Sequence, residues 1–444
     1  MSEQNKIKGK ILLLGQIECL SPVHVGSGRA QRSELDILRD PDGKPFIPAT
    51  SFIGVLRHAF PITDESKNFW GHAEKNDGHQ SALCCSDLTL VQTEPQIVVR
   101  DGIKIDNKTG LVEDKGKYDF ELLEREARFQ LKMEFTYRSA DEQFVKQTVL
   151  SLYDLLRREQ IQIGAKTNSG FGRIRLIEDA TKIYAFDFSQ KKDVLNWLTQ
   201  NFTEQNIFVE TLDVAFKLKQ NCFRIAATLR LKNSLLIRSY THDPKMPNTR
   251  HFKSGDNWLI TGTGLKGAIR ARAERIVNTL ELKESKKIIT ELFGEVEDEL
   301  YSKNAKKGKV KVREVILPEK DFPAELQARI KVDRFTGGVI EGGLFDSMPI
   351  FAPKEEKLIS MQIEVRDYEE HEAGLMLLVL KDLWSGDLAV GGEKSIGRGV
   401  FAGVQAEIAW GDEKIILEND VSKMSAADKQ KLQNFVDALR EEKV

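Results

Sequence analysis

Three kinds of stretch in the chain hold residue types that phosphate or metal chemistry uses. IGAKTNSGFGRIRL (163–176) and VGGEKSIGRGVFAG (390–403) combine glycines with Lys166, Arg173, Lys394 and Arg398. Glycine lets a backbone approach a ligand closely, and cations beside it neutralise phosphate. Gly164-Ala165-Lys166-Thr167 echoes a nucleotide-binding loop, which needs its lysine and hydroxyl at a helix start. The residues that follow, FGRIRLIE and GVFAGVQAEI, alternate like strands, which argues against a nucleotide site. His72, His79, Cys84 and Cys85 are zinc-type ligands. Their spacing lacks a CxxC knuckle, and adjacent cysteines on a strand point to opposite faces, so a core strand with two small apolar residues is expected. The third kind, IKIDNKTG at 103–110, returns as IKVDRFTG at 330–337, 227 residues later. Asn107 or Arg334 followed by Thr-Gly is turn chemistry. Turn chemistry does not explain why Lys104 and Lys331, or Asp106 and Asp333, recur as well.

The elements around these stretches repeat too. FIPATSFIGVLRHAF (46–60) matches LITGTGLKGAIRARA (259–273), with Gly54 over Gly267 and Arg57 over Arg270. Carried upstream without a gap, that match puts Ser21 over Ser234. FWGH (69–72) and LFGE (292–295) come next, each followed by a strand-like run, then the octapeptides, then the glycine-rich ends. Five blocks in one order indicate tandem duplication, with the junction near 200–220. Each half reads β-α-β-(insert)-β-α-β, a ferredoxin-like α+β unit with the octapeptide in the insert. Strands are expected at 10–20, 222–232, 129–135 and 361–365. Helices are expected after Thr50-Ser51, after Thr263, and over about 141–158 and 368–384. The tail adds a helix capped by Ser425 and Asp428, with Leu432, Phe435, Val436 and Leu439 on its apolar face.

Bulk properties narrow the function classes. A chain of 444 residues suggests two or three domains, and 41% hydrophobic residues can build real cores. No run approaches the length of a bilayer-spanning segment, so no membrane partner is expected. The start MSEQNKIKGK lacks an apolar signal core, and Cys19, Cys84, Cys85 and Cys222 form no disulfide pattern, which points to a cytoplasmic protein. A net charge of −2 argues against indiscriminate coating of nucleic acid. It leaves room for local basic grooves, and the densest candidate is SKNAKKGKVKVR, with Lys303, Lys306, Lys307, Lys309, Lys311 and Arg313.

Taken in order, the GSG segment, RDPDGKPFIPATSFIG, FWG, the (K/R)-(I/V)-D-x-x-T-G segment and the glycine-rich end resemble the RAMP superfamily of CRISPR proteins. More narrowly, they resemble backbone subunits of type III CRISPR effector complexes. Both halves match, so the chain resembles two fused backbone subunits: residues 1–205 with a thumb near 100–122, residues 206–410 with a thumb near 328–350, and an extension at 411–444. The resemblance implies two RRM-like palms that hold CRISPR RNA, each with a β-hairpin thumb that wedges into the guide–target duplex. It implies target single-stranded RNA and other CRISPR effector subunits as partners.

On this resemblance, Gly170, Gly172, Gly397 and Gly399 let the backbone approach RNA, with Lys166, Arg173, Lys394 and Arg398 on its phosphates. The alternative is a tight turn into the last strand. Arg57, Lys266 and Arg270 are read as first-turn cations at helix N-termini suited to phosphate, against ordinary solvated helix faces. In the octapeptides Lys104, Asp106, Lys331 and Asp333 would fix the hairpin base, with Ile103, Leu111, Ile330 and Val339 as apolar wedges. Some family members cut target RNA with a loop aspartate and a divalent metal. That loop is RAQRSELDILRD (29–40) in the first half, where Asp36 is the candidate and Glu34 the alternative. In the second half the candidate is Asp243. The metal would be Mg2+, positioned to stabilise charge on the attacking and leaving oxygens. Competing readings are a scaffold without cutting, and a metal-independent guide-processing nuclease with His24 or His58 as general base.

Overall fold

The computed structural model describes residues 6–28, 33–74, 77–106, 109–208, 221–240, 246–295, 306–419 and 424–442. It divides into two compact units, one of Met1–Thr167 with Phe171–Lys219, the other of Gln220–Val444 with Asn168–Gly170.

In the first unit the long strand β1 (Ile7–Cys19) is the axis. Strand β2 (Leu83–Cys85) lies at an edge, β3 (Ile97–Ile105) and β4 (Val112–Leu123) form a hairpin, and β5 (Arg128–Arg138) pairs with both β1 and β2. On the other side of β1, β6 (Ile174–Leu176) covers its C-terminal half and β7 (Lys182–Asp187) its N-terminal half. The resulting order, fourth-first-third-second in chain terms, is ferredoxin-like. Alternation makes β5 a sheet strand: Phe129, Leu131, Met133, Phe135 and Tyr137 all turn into the core. The covering helices are α1 (Ala49–His58), α2 (Asp64–Trp70) and α3 (Glu142–Arg157), with α4 (Lys191–Leu198) beside β7. Helix α3 buries Val145, Val149, Leu152 and Leu156, spaced at helical period.

The second unit repeats the plan. Its sheet runs β11 (Val310–Val312), β14 (Leu358–Arg366), β8 (Cys222–Leu231), β15 (Phe401–Trp410), β16 (Glu413–Glu418). Helices α5 (Gly262–Thr279), α6 (Ser285–Phe293) and α7 (Glu370–Ser385) pack on it. A second hairpin, β12 (Gln327–Val332) and β13 (Val339–Met348), is flanked by β9 (Arg238–Tyr240) and β10 (Thr249–His251) in a four-stranded sheet. The tail belongs to this unit's core. Helix α8 (Ala426–Glu441) buries Phe435 and Leu439, and Phe435 meets the rings of Phe223, Tyr368 and Trp410. Ser425 Oγ accepts from the Asp428 N–H at 3.0 Å, as the cap expected.

Helix starts differ from expectation. Thr50-Ser51 and Thr263 lie inside α1 and α5. Pro48, with φ of −59°, sits at the start of α1, and the Asp87 carboxylate accepts the Ala49 N–H at 2.7 Å from far along the chain. In α5 the cap is Thr261, whose Oγ1 accepts from Gly264 at 3.3 Å.

One close approach recurs in both units. Gly172 donates to the Pro22 carbonyl and accepts from Ile163; Gly399 donates to the Ser234 carbonyl and accepts from Val390. A Cβ would lie 1.9 Å from the Ile163 oxygen at Gly172, and 1.8 Å from the Val390 oxygen at Gly399. Both glycines have positive φ. The pairing makes Pro22, not Ser21, the counterpart of Ser234, so the upstream match slips by one residue.

His251 is 0% exposed. Its Nδ1 accepts from Ile237 at 3.2 Å and its Nε2 donates to the Leu259 carbonyl at 3.1 Å. Burial pushes its pKa down from 6.5 to about 4, against the nearby Leu235 and Leu259 carbonyls, which favour the protonated ring. A depressed histidine means that the unfolded chain binds the proton more tightly. Its contribution is therefore complete above pH 6.5 and is lost as pH falls toward about 4, on the order of 3 kcal/mol in all. Denaturant unfolding between pH 7 and 4.5 should show this loss, and a His251→Gln variant should be weaker at pH 7 with a flatter pH response.

Candidate nucleic-acid interface

Both octapeptides form hairpin tips, built alike. Asp106 Oδ1 accepts the Thr109 N–H at 2.6 Å and its hydroxyl at 2.8 Å, and the Gly110 N–H bonds the Asp106 carbonyl. Asp333 Oδ1 accepts from Phe335 N–H, Thr336 N–H and Thr336 Oγ1 at 2.9, 2.8 and 3.1 Å, and Gly337 closes the turn in the same way. The Thr336 and Phe335 N–H groups hold the Asp333 carboxyl below its ordinary range. The aspartates therefore fold the tip, not the base as expected, because their side chains satisfy the turn's own amides.

Lys104 and Lys331 are exposed one step from the tip, and Lys104 pairs with Glu113 across the hairpin at 2.9 Å. Opposite each lysine the ladder register shifts, between Ile103 and Ile105 and between Ile330 and Val332. Gly116 and Gly343 sit there, each with a would-be Cβ against the lysine's own backbone and Cβ. Such a bulge bends the hairpin. The wedge candidates Ile103, Leu111, Ile330 and Val339 are all exposed, as are Ile105, Val112, Val332 and Leu344; Phe335 at the second tip is 98% exposed.

At the hairpin roots the two units diverge. Lys166 and Glu393 occupy the same left-handed position, each at φ 57°. Lys166 Nζ lies 4.5 Å from the ring centres of both Tyr118 and Phe120 and 3.1 Å from the Tyr118 hydroxyl. Arg100 sits over Phe171 at 5.6 Å and pairs with Glu124 at 2.6 Å. In the second unit Glu393 meets three guanidinium groups: Arg329, Arg398 at 2.7 Å and Arg238 at 3.8 Å. Arg398 also donates to Gln327 Oε1 at 2.6 Å, and Arg329 to Ser347 Oγ at 2.9 Å. The counterpart of Lys166 is thus an acid, not Lys394.

Several expected RNA contacts are placed differently. Gly170, Gly172 and Gly399 are buried, and the last two are occupied by the close approach described above; Gly397 is open, with nothing within 4 Å of its Cβ position. Arg398 is 3% exposed, so it braces the root. Arg173 pairs with Glu159, while Lys394 is exposed. Arg57 lies in the last turn of α1, and Lys266 and Arg270 in the second and third turns of α5, away from the helix N-termini. Lys266 is pushed down to about 8 by desolvation and then by Arg270 and Lys307, which marks a local excess of positive charge. Of the dense basic run, Lys306 and Lys307 are exposed, Lys309 is taken by the buried Glu372 at 2.9 Å, and Lys303 lies outside the described residues.

The loop acids also divide. Asp36 is 6% exposed, and its Oδ1 accepts the Ser33 N–H at 2.8 Å and hydroxyl at 2.9 Å. The loop is held to β4 by Glu121, which takes both arms of Arg39 at 2.9 and 3.0 Å and the Ile37 N–H at 3.1 Å. Burial opposes ionisation there, but these bonds hold the Glu121 carboxyl below its usual range. Asp36 placed this way braces its loop. Glu34 is exposed, and its N–H bonds Asp119 Oδ1 at 2.7 Å. In the second unit Asn248 donates to Asp346 Oδ1 at 2.6 Å in the same arrangement. Leu35 bridges Phe120 and Thr249 bridges Ser347, both in parallel, so Asp36 corresponds to Arg250. Asp243 lies outside the described residues. Among the described residues no group of three or more histidine, cysteine or acidic side chains is placed to hold a metal. Cys84 is exposed and Cys85 half-buried on an edge strand, not in the core as expected, because β2 has a neighbour only on the β5 side. His72 and His79 stack across a short hairpin, ring centres 6.5 Å apart.

Two ferredoxin-like sheets, each with a bulged hairpin and a glycine-locked final turn, coincide with the family comparison. The sequence model of the RAMP superfamily matches residues 16–175 and again 228–402. The chain belongs to the RAMP superfamily. Comparison with curated proteins finds no match. RAMP membership carries a CRISPR-associated, RNA-binding role. No helix among the described residues is long and apolar enough to cross a membrane.

Within the two RAMP regions the residues that sequence reading missed have a signal. Gly116 and Gly343, Asp119 and Asp346, and Lys166 and Glu393 keep the spacing of the octapeptides, 103 to 330. Extending that match through both hairpins and into the glycine-rich ends finds all of them. If the aspartates fold the RAMP tips, Asp333→Ala should raise amide exchange at Phe335, Thr336 and Gly337 at least tenfold. It should leave the melting temperature within a few degrees, since the tip buries little. Unchanged exchange at those amides would count against the assignment.

Proposed function

We propose that this RAMP protein is a backbone subunit of a type III CRISPR effector in antiviral defence, holding a CRISPR RNA–target RNA duplex with two thumbs carried on one chain. The observation that carries this reading is the pair of hairpins. Each has a rigid aspartate-locked tip, a glycine bulge that bends it, and exposed apolar side chains that a monomeric surface would not leave bare. Such side chains gain by sliding between bases, and Phe335 would stack at about 1–3 kcal/mol on a base. Cations at Lys266, Arg270, Lys307, Lys104 and Lys331 would lie along the RNA backbone.

A second reading, magnesium-dependent cutting of the target RNA, is favoured by one observation: Glu34 presents a solvent-facing carboxylate on a loop clamped to the thumb strand β4. A magnesium ion binds through one or two carboxylates together with phosphates, and Glu34 would be the protein donor, supplying charge stabilisation at the cut phosphate. Asp36 would hold that loop in place.

The duplex-holding reading is tested with 2-aminopurine placed along a matched target strand in a reconstituted effector. Two fluorescence maxima per chain, one of them lost in Phe335→Ala with roughly tenfold weaker duplex binding, are expected. A flat profile along the strand would refute thumb insertion. For cutting, Glu34→Gln should abolish chelator-sensitive cleavage of matched RNA with the fold intact. Asp36→Asn should lower both cleavage and melting temperature. Full activity in Glu34→Gln, with loss in a variant of Asp243, would move the acid to the second unit.

A further inference from the structure

The root of the second thumb gathers Arg238, Arg329 and Arg398 on the single carboxylate of Glu393, a formal excess of two positive charges. Arg398 is almost wholly buried, and its Nη1 has no hydrogen-bond partner among the described residues. Burying guanidinium groups beyond what one carboxylate neutralises is costly, and the cost falls when an anion completes the set. Arg238 and Arg329 are reachable from solvent, with side chains 44% and 28% exposed.

The first unit shows that the fold does not need this cluster. Shared backbone bonds fix the correspondence: Ala165 and Gly392 donate to the carbonyls of His24 and Leu236. Arg238 then corresponds to Gly26, Arg329 to Gly102, Arg398 to Phe171, and Glu393 to Lys166. The same strands, turn and hairpin root form there with no arginine at the three positions and with aromatic rings under a lysine. The three arginines are therefore additions to a scaffold that stands without them. Planar guanidinium groups in such number match the spaced oxygens of a phosphate.

We infer that Arg238, Arg329 and Arg398, set on Glu393 and Gln327, form an anion site that takes one phosphodiester group at the root of the second thumb, and that the first unit lacks it. The inference rests on the RNA-holding reading for its ligand source alone. Arg238 and Arg329 would touch the phosphate oxygens, while Glu393 holds the guanidinium planes apart and Arg398 braces from beneath. RNA would thus meet a salt-sensitive cluster of charge at one root, and the single cation of Lys166, seated on Tyr118 and the buried Phe120, at the other.

The test uses the full chain, wild type and the variants Arg238→Gln, Arg329→Gln and Lys166→Gln, with a fluorescent single-stranded RNA titrated at several salt concentrations. Arg238→Gln and Arg329→Gln should each weaken binding about fivefold for any sequence and flatten the log–log salt slope by about 0.7. Lys166→Gln should change that slope less than either. In parallel, millimolar inorganic phosphate should raise the melting temperature of wild type but not of Arg329→Gln. If RNA binds both arginine variants with the wild-type slope, the site is refuted while the RNA-holding reading stands. If wild type fails to bind RNA but gains phosphate-dependent stability that Arg329→Gln lacks, the anion site stands and the RNA-holding reading falls. Equal phosphate stabilisation in wild type and Arg329→Gln would also overturn the site.

Discussion

The architecture hinges on a place with no room for a side chain. At Gly172 and Gly399 the final turn of each unit presses its backbone against the exit of the first strand. The bonds to Pro22 and Ser234 on one side, and from Ile163 and Val390 on the other, fix the turn's height above the sheet. That height puts the left-handed residue, Lys166 or Glu393, against the root of the hairpin. The thumb is thereby referenced to the sheet through backbone geometry, and the side chains at the root are free to differ. At Gly172 and Gly399 the glycine admits the chain's own carbonyls, those of Ile163 and Val390, while Gly397 stays open.

Much of the fold was legible in the sequence because alternation and helical period report burial directly. Strand β5 reads RFQLKMEFTYR with every second residue apolar, and each of those five side chains is in the core. The same logic located α3, α7 and the capped tail helix, whereas both hairpins were expected from the repeated octapeptide and the family resemblance. Helix starts were misread where a distant group did the capping: nothing local to PATS announces that Asp87 will take the Ala49 amide. Serine and threonine beside an apolar stripe look like caps, yet the proline before them begins the helix.

The site was less legible, for a physical reason. A lone lysine, arginine or aspartate in sequence carries no sign of whether it faces water or a partner inside the protein. Asp36 bends back on Ser33, Arg398 sinks beneath Glu393, and Lys309 meets Glu372, so three charged residues expected near RNA serve the fold. Loop residues also resist alignment, because insertions there cost little. Only the parallel bridges of Leu35 and Thr249 showed that Arg250 stands where Asp36 does. The tip aspartates lay between these cases: their repetition was visible, but their role needed the geometry of the turn.

The bulge at Gly116 and Gly343 sets the aim of each hairpin by counting residues, not by contacts. Side chains on a strand alternate between two faces, so the odd number of extra residues, three in each hairpin, decides which face the distal apolar residues occupy relative to the root. The two halves of each hairpin are thus held in one phase: the aromatic or charged root differs by substitution between the units, whereas the apolar blade has the same length in both. Duplication followed by divergence has respected that distinction, keeping the residue count between Lys104 and Gly116 and between Lys331 and Gly343 while rewriting the chemistry below.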